Sequence, residues 1–187
     1  LPRLPVAVNV SAKQFRDRDF VNNVREALGQ AGLEPRYLEL EVTETVVMQD
    51  ADAVISTLEE LRHLGVRLAI DDFGTGYSSL SYLKRFPIEK IKIDSSFIRD
   101  IPGDKDDYSI VRAIVGLTQQ LNLKVLAEGV ETFEQLDALR SIRCDEYQGF
   151  YFSSPVPAAR FARMPAMHFS AKTRHTVPVS SMLSTRS

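Results

Sequence analysis

Nearly every apolar run in this chain ends in a polar or charged residue. Asn9 follows Val6-Ala7-Val8, and Glu41 follows Leu38-Glu39-Leu40. Asp71 and Asp72 follow Leu68-Ala69-Ile70, and Lys92 and Asp94 interleave with Ile91 and Ile93. Glu128 follows Val125-Leu126-Ala127, and Gln148 closes a weaker run that starts at Glu146. Asn9, Glu41, Asp71, Asp72 and Glu128 are a hard oxygen donor set. They suit Mg²⁺ or Mn²⁺ rather than the sulfur- and imidazole-rich set usual for structural zinc. Five such ligands exceed the need of one magnesium ion, which keeps several waters. Two ions roughly 3.5–4 Å apart, with one carboxylate bridging, would use them better. Such a pair lowers the pKa of a bound water and clamps the oxygens of an in-line displacement at phosphorus. Lys92 could orient that water or neutralise developing charge.

These residues converge only if their strands lie side by side and point the same way. Strands are expected at Val6–Val10, Leu38–Val42, Leu68–Asp71, Ile91–Asp94, Val125–Ala127 and Glu146–Gln148. Between them run helical stripes. Phe20, Val24, Ala27, Leu28 and Ala31 form one; Val54, Leu58, Leu61 and Leu64 form the next. Leu80 and Leu83 mark a short third helix, and Ile110, Ile114, Leu117 and Leu121 a fourth. Leu136, Leu139 and Ile142 form the fifth, opened by a capping-box pattern from Thr132 to Gln135. Strand–helix alternation implies right-handed crossovers and a parallel sheet. In a parallel barrel the strand C-termini converge on the face where active sites are built. Residues two apart share a face, so Ala7 with Asn9, Ala69 with Asp71, Lys92 with Asp94, and Leu126 with Glu128 point one way. Asp71 and Asp72 are adjacent. Both reach one site only if the strand ends there, and Phe73-Gly74-Thr75-Gly76 is expected to supply that break.

Six strands fall short of the eight of a closed (β/α)₈ barrel. The alternation already runs at Val6, so a first strand and helix are expected before Leu1. With 187 residues and 44% hydrophobic content the chain can bury a core, and 23 basic against 25 acidic residues give a net charge of −2. That balance does not point to nucleic acid as a partner. No apolar run reaches the roughly 18 residues of a membrane span. Cys144 is the single cysteine, so no internal disulfide forms and no oxidising compartment is required. The first residue is Leu1 and no signal peptide follows, as expected of a piece of a longer protein. Residues 165–187 carry Lys172, Arg174 and Arg186 and no acid. This serine-containing stretch, with His168 and His175, is expected to be a disordered tail after a domain at 1–164. Asp72-Phe73-Gly74 matches the kinase DFG triplet, but no HRD motif or glycine-rich phosphate loop accompanies it. Gly74-x-Gly76 lacks the third glycine of a dinucleotide fingerprint. Cys144 and His63 read as packing or surface residues.

The strings VNVSAKQF, LELEVTE, IDDFGTGYSSLSYLKRFPIEKIKID, AEGVET and QGFYFSSP, in this order, resemble the EAL-domain family from about residue 4 to 164. That family comprises bacterial cyclic di-GMP phosphodiesterases built on a modified TIM barrel. The resemblance implies that Asn9, Glu41, Asp71, Asp72 and Glu128 are metal ligands and that Lys92 contacts the catalytic water. It implies support of the site by Asp94 and Glu131, and an active-site role for Gln148. Glu44 resembles the glutamate that holds the DDFGTG loop. That loop, Asp72 to Ser79, is linked in the family to metal binding and dimerisation, which makes a homodimer an expected partner. The resemblance also implies a cytoplasmic domain, in a parent that other segments could anchor to a membrane. The namesake Glu-Ala-Leu string is absent from these residues, with its strand and the nearby substrate arginine. A weakly active or inactive fragment is therefore expected, whose complete domain converts cyclic di-GMP to linear pGpG with two Mg²⁺ or Mn²⁺.

Two other readings stay open. One is a non-catalytic member that binds cyclic di-GMP and signals through a partner. The other is a barrel enzyme of the enolising kind, which also combines acids, a metal and a lysine base. The retained DDFGTG loop, Lys92 and Glu128 favour catalysis, because a receptor needs no activated water.

Overall fold

The computed structural model describes residues 4–49, 51–76 and 80–161. The expected tail at 165–187 lies outside them. The chain divides into two compact units, 1–155 and 156–187. Of the second unit, a short helix at Ala158–Phe161 is described.

The first unit is a six-stranded parallel sheet whose spatial order equals its chain order. Its strands are β1 (Val6–Val10), β2 (Leu38–Thr43), β3 (Arg67–Phe73), β4 (Lys90–Ile93), β5 (Lys124–Ala127) and β6 (Glu146–Tyr147). The helices are α1 (Ala12–Phe15), α2 (Phe20–Ala31), α3 (Glu44–Gln49), α4 (Ala51–Leu64), α5 (Leu80–Leu83), α6 (Lys105–Gln120) and α7 (Phe133–Ser141). A doubly wound sheet reverses its strand order at a switch point, whereas a barrel adds each strand beside the last. The unbroken order is that of a TIM-like barrel wall.

The sheet's outward row explains its cohesion. Val10, Val42, Ile70, Ile91 and Val125 are successive cross-strand partners. All are buried with Val24, Leu28, Leu58, Leu61, Val111, Val115 and Leu139 in one core. β-Branched residues suit a strand packed under helices. Each fully buried side chain of this size contributes about 1.5–3 kcal/mol of transfer free energy. Val6 and Val8, on the edge strand β1, are exposed.

The helix ends follow their local chemistry. Ser11 and Gln14 form a capping box on α1, and Thr132 and Gln135 form one on α7. Asp104 accepts N–H bonds from Asp106 and Asp107 at the start of α6. Among the described residues, no helix is long and apolar enough to cross a membrane.

The ends of β2, β3, β4 and β6 differ by one or two residues from the sequence reading, and two of these changes move candidate site residues. β3 does not stop at Asp71 but continues to Phe73. β4 stops at Ile93, so Asp94 is not a strand residue facing the same way as Lys92. Asp94 instead caps a 3₁₀ turn, Ser95–Phe97, accepting from the Ser96 N–H at 3.0 Å and from the Ser96 hydroxyl.

Candidate active site

A β-bulge brings the two aspartates together. Ile70 pairs with Ile91 and Phe73 with Ile93, so Asp71 and Asp72 together stand opposite Lys92 alone. Two residues opposing one is the signature of a bulge, a device common beside active sites. Asp72 adopts φ 53°, a left-handed conformation that aspartate tolerates better than most residues. The extra residue restores Phe73 to the core side while leaving both carboxylates at the strand end. Carboxylate oxygens of Asp71, Asp72 and Glu128 all lie within 4.8 Å of one another.

Lys92 binds this cluster from below. Its Nζ lies 2.8 Å from Glu41 Oε2, 2.9 Å from Asp71 Oδ1 and 2.9 Å from Glu128 Oε1. Lys92, Glu41 and Asp71 are buried, and Glu128 is half-buried. Four strands meet at one ammonium group, because Glu41 lies on β2, Asp71 on β3, Lys92 on β4 and Glu128 just past β5. Glu128 continues the ladder by donating its N–H to the Ile93 carbonyl at 3.2 Å.

The electrostatics leave a deficit of positive charge. Glu41, Asp71, Asp72 and Glu128 carry four negative charges against the one of Lys92, a local balance of −3. Burial raises the Glu128 pKa above the ordinary glutamate value; Asp71 and Glu41 add to this, and Lys92 opposes it. Burial also raises the pKa of Asp72, with the charges of Asp71 and Asp94 adding to it. Burial works against the Lys92 ammonium, but its bonds to Glu128, Glu41 and Asp71 outweigh that, so its pKa rises. Lys92 is therefore a fixed cation that keeps its proton and acts only as a hydrogen-bond donor. Crowded hard oxygens with unrelieved negative charge fit one or two divalent cations.

The loop after β3 is tied to this geometry by Glu44, the first residue of α3. Its Oε2 accepts the Gly74 N–H at 2.8 Å and the Gly76 N–H at 3.4 Å. Gly74 has φ 102°, and a Cβ there would fall 2.9 Å from the Phe97 ring, so the position requires glycine. Thr75 Oγ1 donates to the Asp72 carbonyl at 2.8 Å, holding the bulge residue from its far side. Residues 77–79, the rest of the loop proposed for dimerisation, lie outside the described residues. Glu44→Ala frees the loop that fixes Asp72. We expect Mn²⁺ affinity to fall by about 10-fold, the lower range for losing a group that orients metal ligands. Calorimetric titration checks this, and amide exchange at Gly74 and Gly76 should accelerate in the same variant.

The remaining candidate residues stand farther out. Asn9 is the cross-strand partner of Glu41 and is exposed on the edge strand. Gln148 is exposed just past β6; its backbone donates to the Ala127 carbonyl and accepts from the Val130 N–H. Glu131 is exposed, and its N–H donates to Gln135 Oε1 at 2.7 Å, which ties it to the start of α7. Asp94 lies close enough to act on the charge of Asp72, but its carboxylate is engaged by Ser96, which lowers its pKa against the effect of burial.

One charged set escaped the sequence reading. Glu39, Lys90 and Glu146 form a second ion-pair layer inside the sheet's curve. The signal was available, since each lies two residues before Glu41, Lys92 or Gln148 and so shares its face.

The comparisons with known proteins agree with this architecture. The family model described as EAL domain matches residues 1–155. The cyclic di-GMP phosphodiesterase NbdA of Pseudomonas aeruginosa is 54% identical over 157 residues, 84% of this chain and 20% of that protein. The solved structure of the PaMucR phosphodiesterase in complex with c-di-GMP is 51% identical, with a TM-score of 0.82, over 84% of this chain and 64% of that one. The Klebsiella pneumoniae BlrP1 manganese/cy-diGMP complex is 40% identical with a TM-score of 0.76, over 82% of this chain and 40% of that one. The chain thus spans about a fifth of the length of the curated relatives it matches. With its model matched across most of the sequence, and with a barrel wall that gathers carboxylates at its strand ends, the chain belongs to the EAL domain family.

Proposed function

We propose that this chain carries most of the active site of a metal-dependent phosphodiesterase that hydrolyses cyclic di-GMP to linear pGpG. The observation that carries the reading is the cluster of Glu41, Asp71, Asp72 and Glu128 around Lys92, with three negative charges in excess. The relatives named above as cyclic di-GMP phosphodiesterases, or solved with that ligand, supply the substrate.

In this reading Asn9, Glu41, Asp71, Asp72 and Glu128 hold two Mg²⁺ or Mn²⁺ ions. When bound, such ions would supply a water of lowered pKa and positive charge to offset the negative charge developing at phosphorus. Lys92 keeps its proton; its three N–H groups face Glu41, Asp71 and Glu128, so it would donate to the attacking water or to the charge developing at phosphorus by giving up one of those bonds. The bulge keeps Asp71 and Asp72 on the same side of the strand end, so neither has to swing in when substrate binds. Glu44 supports Asp72 through the loop. Asp94 and Glu131 support the site from its rim, and Gln148 contacts the substrate from the end of β6. The domain works in the cytoplasm, and the loop from Asp72 to Ser79 also serves a homodimer contact.

The natural protein that contains this chain, incubated with Mn²⁺ and cyclic di-GMP, should release pGpG as the first product on reversed-phase chromatography. Tight binding of intact cyclic di-GMP without turnover would instead assign a receptor role. Proton exchange into a carbonyl substrate without ester cleavage would assign enolising chemistry.

A further inference from the structure

Beneath the candidate site lies a charge layer that no step above uses. Lys90 Nζ sits 2.9 Å from Glu39 Oε1 and 2.9 Å from Glu146 Oε2. The Lys90 side chain is 13% exposed and that of Glu39 8%, so this pair is shielded from water, while Glu146 is 30% exposed. Lys124 approaches the other oxygen of Glu146 at 3.5 Å from a more exposed position. Two cations and two anions balance, so this layer needs no further ion, unlike the site above it.

The placement is specific. Glu39, Lys90 and Glu146 come from β2, β4 and β6, the alternate strands that build one interior layer of a parallel barrel. Each lies two residues before a candidate site residue on its own strand or just past its end: Glu41, Lys92 and Gln148. Ala69 and Leu126, on the intervening strands β3 and β5, face the same way between the two charged levels. β2 and β6 are not hydrogen-bonded neighbours. The Lys90 ammonium links them across the inside of the curve, through side chains alone.

We propose that Lys90 is a positioning residue, a strut that fixes the spacing of β2, β4 and β6 and thereby the placement of Glu41, Lys92 and Gln148 for metal binding and phosphodiester hydrolysis. The inference rests on the phosphodiesterase reading for its catalytic consequence, but metal affinity reports on the strut independently.

The test uses the natural protein that contains this chain. A charge-free triple variant, Glu39→Met with Lys90→Leu and Glu146→Met, should fold with a Tm at or above the wild type. Apolar replacement of a whole buried ionic group is often neutral or stabilising. Its Mn²⁺ affinity and kcat should nevertheless each fall by about 10-fold, the lower range for losing groups that orient metal ligands. Lys90→Arg can hold both carboxylates and should stay within about 3-fold of wild type. Lys124→Met should leave affinity and turnover unchanged. A triple variant that folds and binds Mn²⁺ as the wild type does would overturn the proposal and show that the layer only fills the barrel. If the triple variant does not fold, Glu146→Gln, at the partly exposed end of the strut, decides. Affinity about 3-fold weaker at unchanged Tm supports the strut, and unchanged affinity overturns it. A wild type that binds Mn²⁺ but hydrolyses no cyclic di-GMP would remove the phosphodiesterase reading, with the affinity comparison still testing the strut.

Discussion

Glu128→Gln is expected to lower kcat for cyclic di-GMP by at least about 10²-fold while leaving the fold intact. The amide keeps the shape of the carboxylate but loses its charge. In the metal-free protein this change removes repulsion from Asp71 and Glu41, two of the causes that raise the Glu128 pKa. The Tm measured in chelator should therefore hold or rise, although one bond to Lys92 weakens. On the proposed reading the site, however, loses a ligand for the ions, and it loses a carboxylate that fixes Lys92. Loss of one acid–base or charge-stabilising group typically costs 10²–10⁴ in rate. Lys92→Ala should lower kcat as far, with a different stability signature. It leaves Glu41, Asp71 and Glu128 without their shared cation. Breaking a buried ion pair from one side costs about 3–5 kcal/mol. Its Tm should fall in chelator and recover in excess Mn²⁺, because the added ion replaces the missing charge. Steady-state kinetics and thermal melts with and without Mn²⁺ check both variants. Wild-type kcat in the folded fraction of either would assign these residues to folding rather than to chemistry.

Much of the fold is legible because a parallel barrel uses two simple periodicities. The outward rows of Val and Ile mark the strands, and the four-residue stripes mark the longer helices. The observed strands begin and end within two residues of their expected bounds. The polar strand ends are legible for the same reason: a strand covered by helices has no other cause to end repeatedly in Asn, Glu, Asp or Lys. The bulge at Asp71 and Asp72 is not legible, because alternation describes regular strands and a bulge is a departure from it. An ending strand and a bulged strand both place adjacent aspartates at one site, and the choice between them depends on the pairing of Phe73 with Ile93. Asp94 fits the alternation yet caps a 3₁₀ turn, since an aspartate two residues before a free N–H competes for the backbone. The helices α1 and α3 are too short to show a stripe. The Glu39–Lys90–Glu146 layer obeys the parity rule. Attention to the strand C-termini alone passes over it, because Glu39, Lys90 and Glu146 lie at the strand starts, where charged residues are usually solvated.

The most direct test of the proposed chemistry is the rate of cyclic di-GMP hydrolysis through a cycle of metal removal and return. A site with four carboxylates crowded around one lysine has no neutral route to binding a phosphodiester anion. On the proposed reading its negative charge repels a phosphodiester until cations occupy it, and Lys92 alone cannot reverse the sign. Activation of water at a bound ion and neutralisation at phosphorus are lost together when the ions leave. Hydrolysis by the natural protein should therefore fall by at least about 10⁴-fold in EDTA, the product of two such losses. It should return on addition of excess Mn²⁺ or Mg²⁺, with Glu128→Gln failing to recover at any metal concentration. Turnover that continues at its full rate in chelator would contradict a divalent-metal phosphodiesterase at these strand ends.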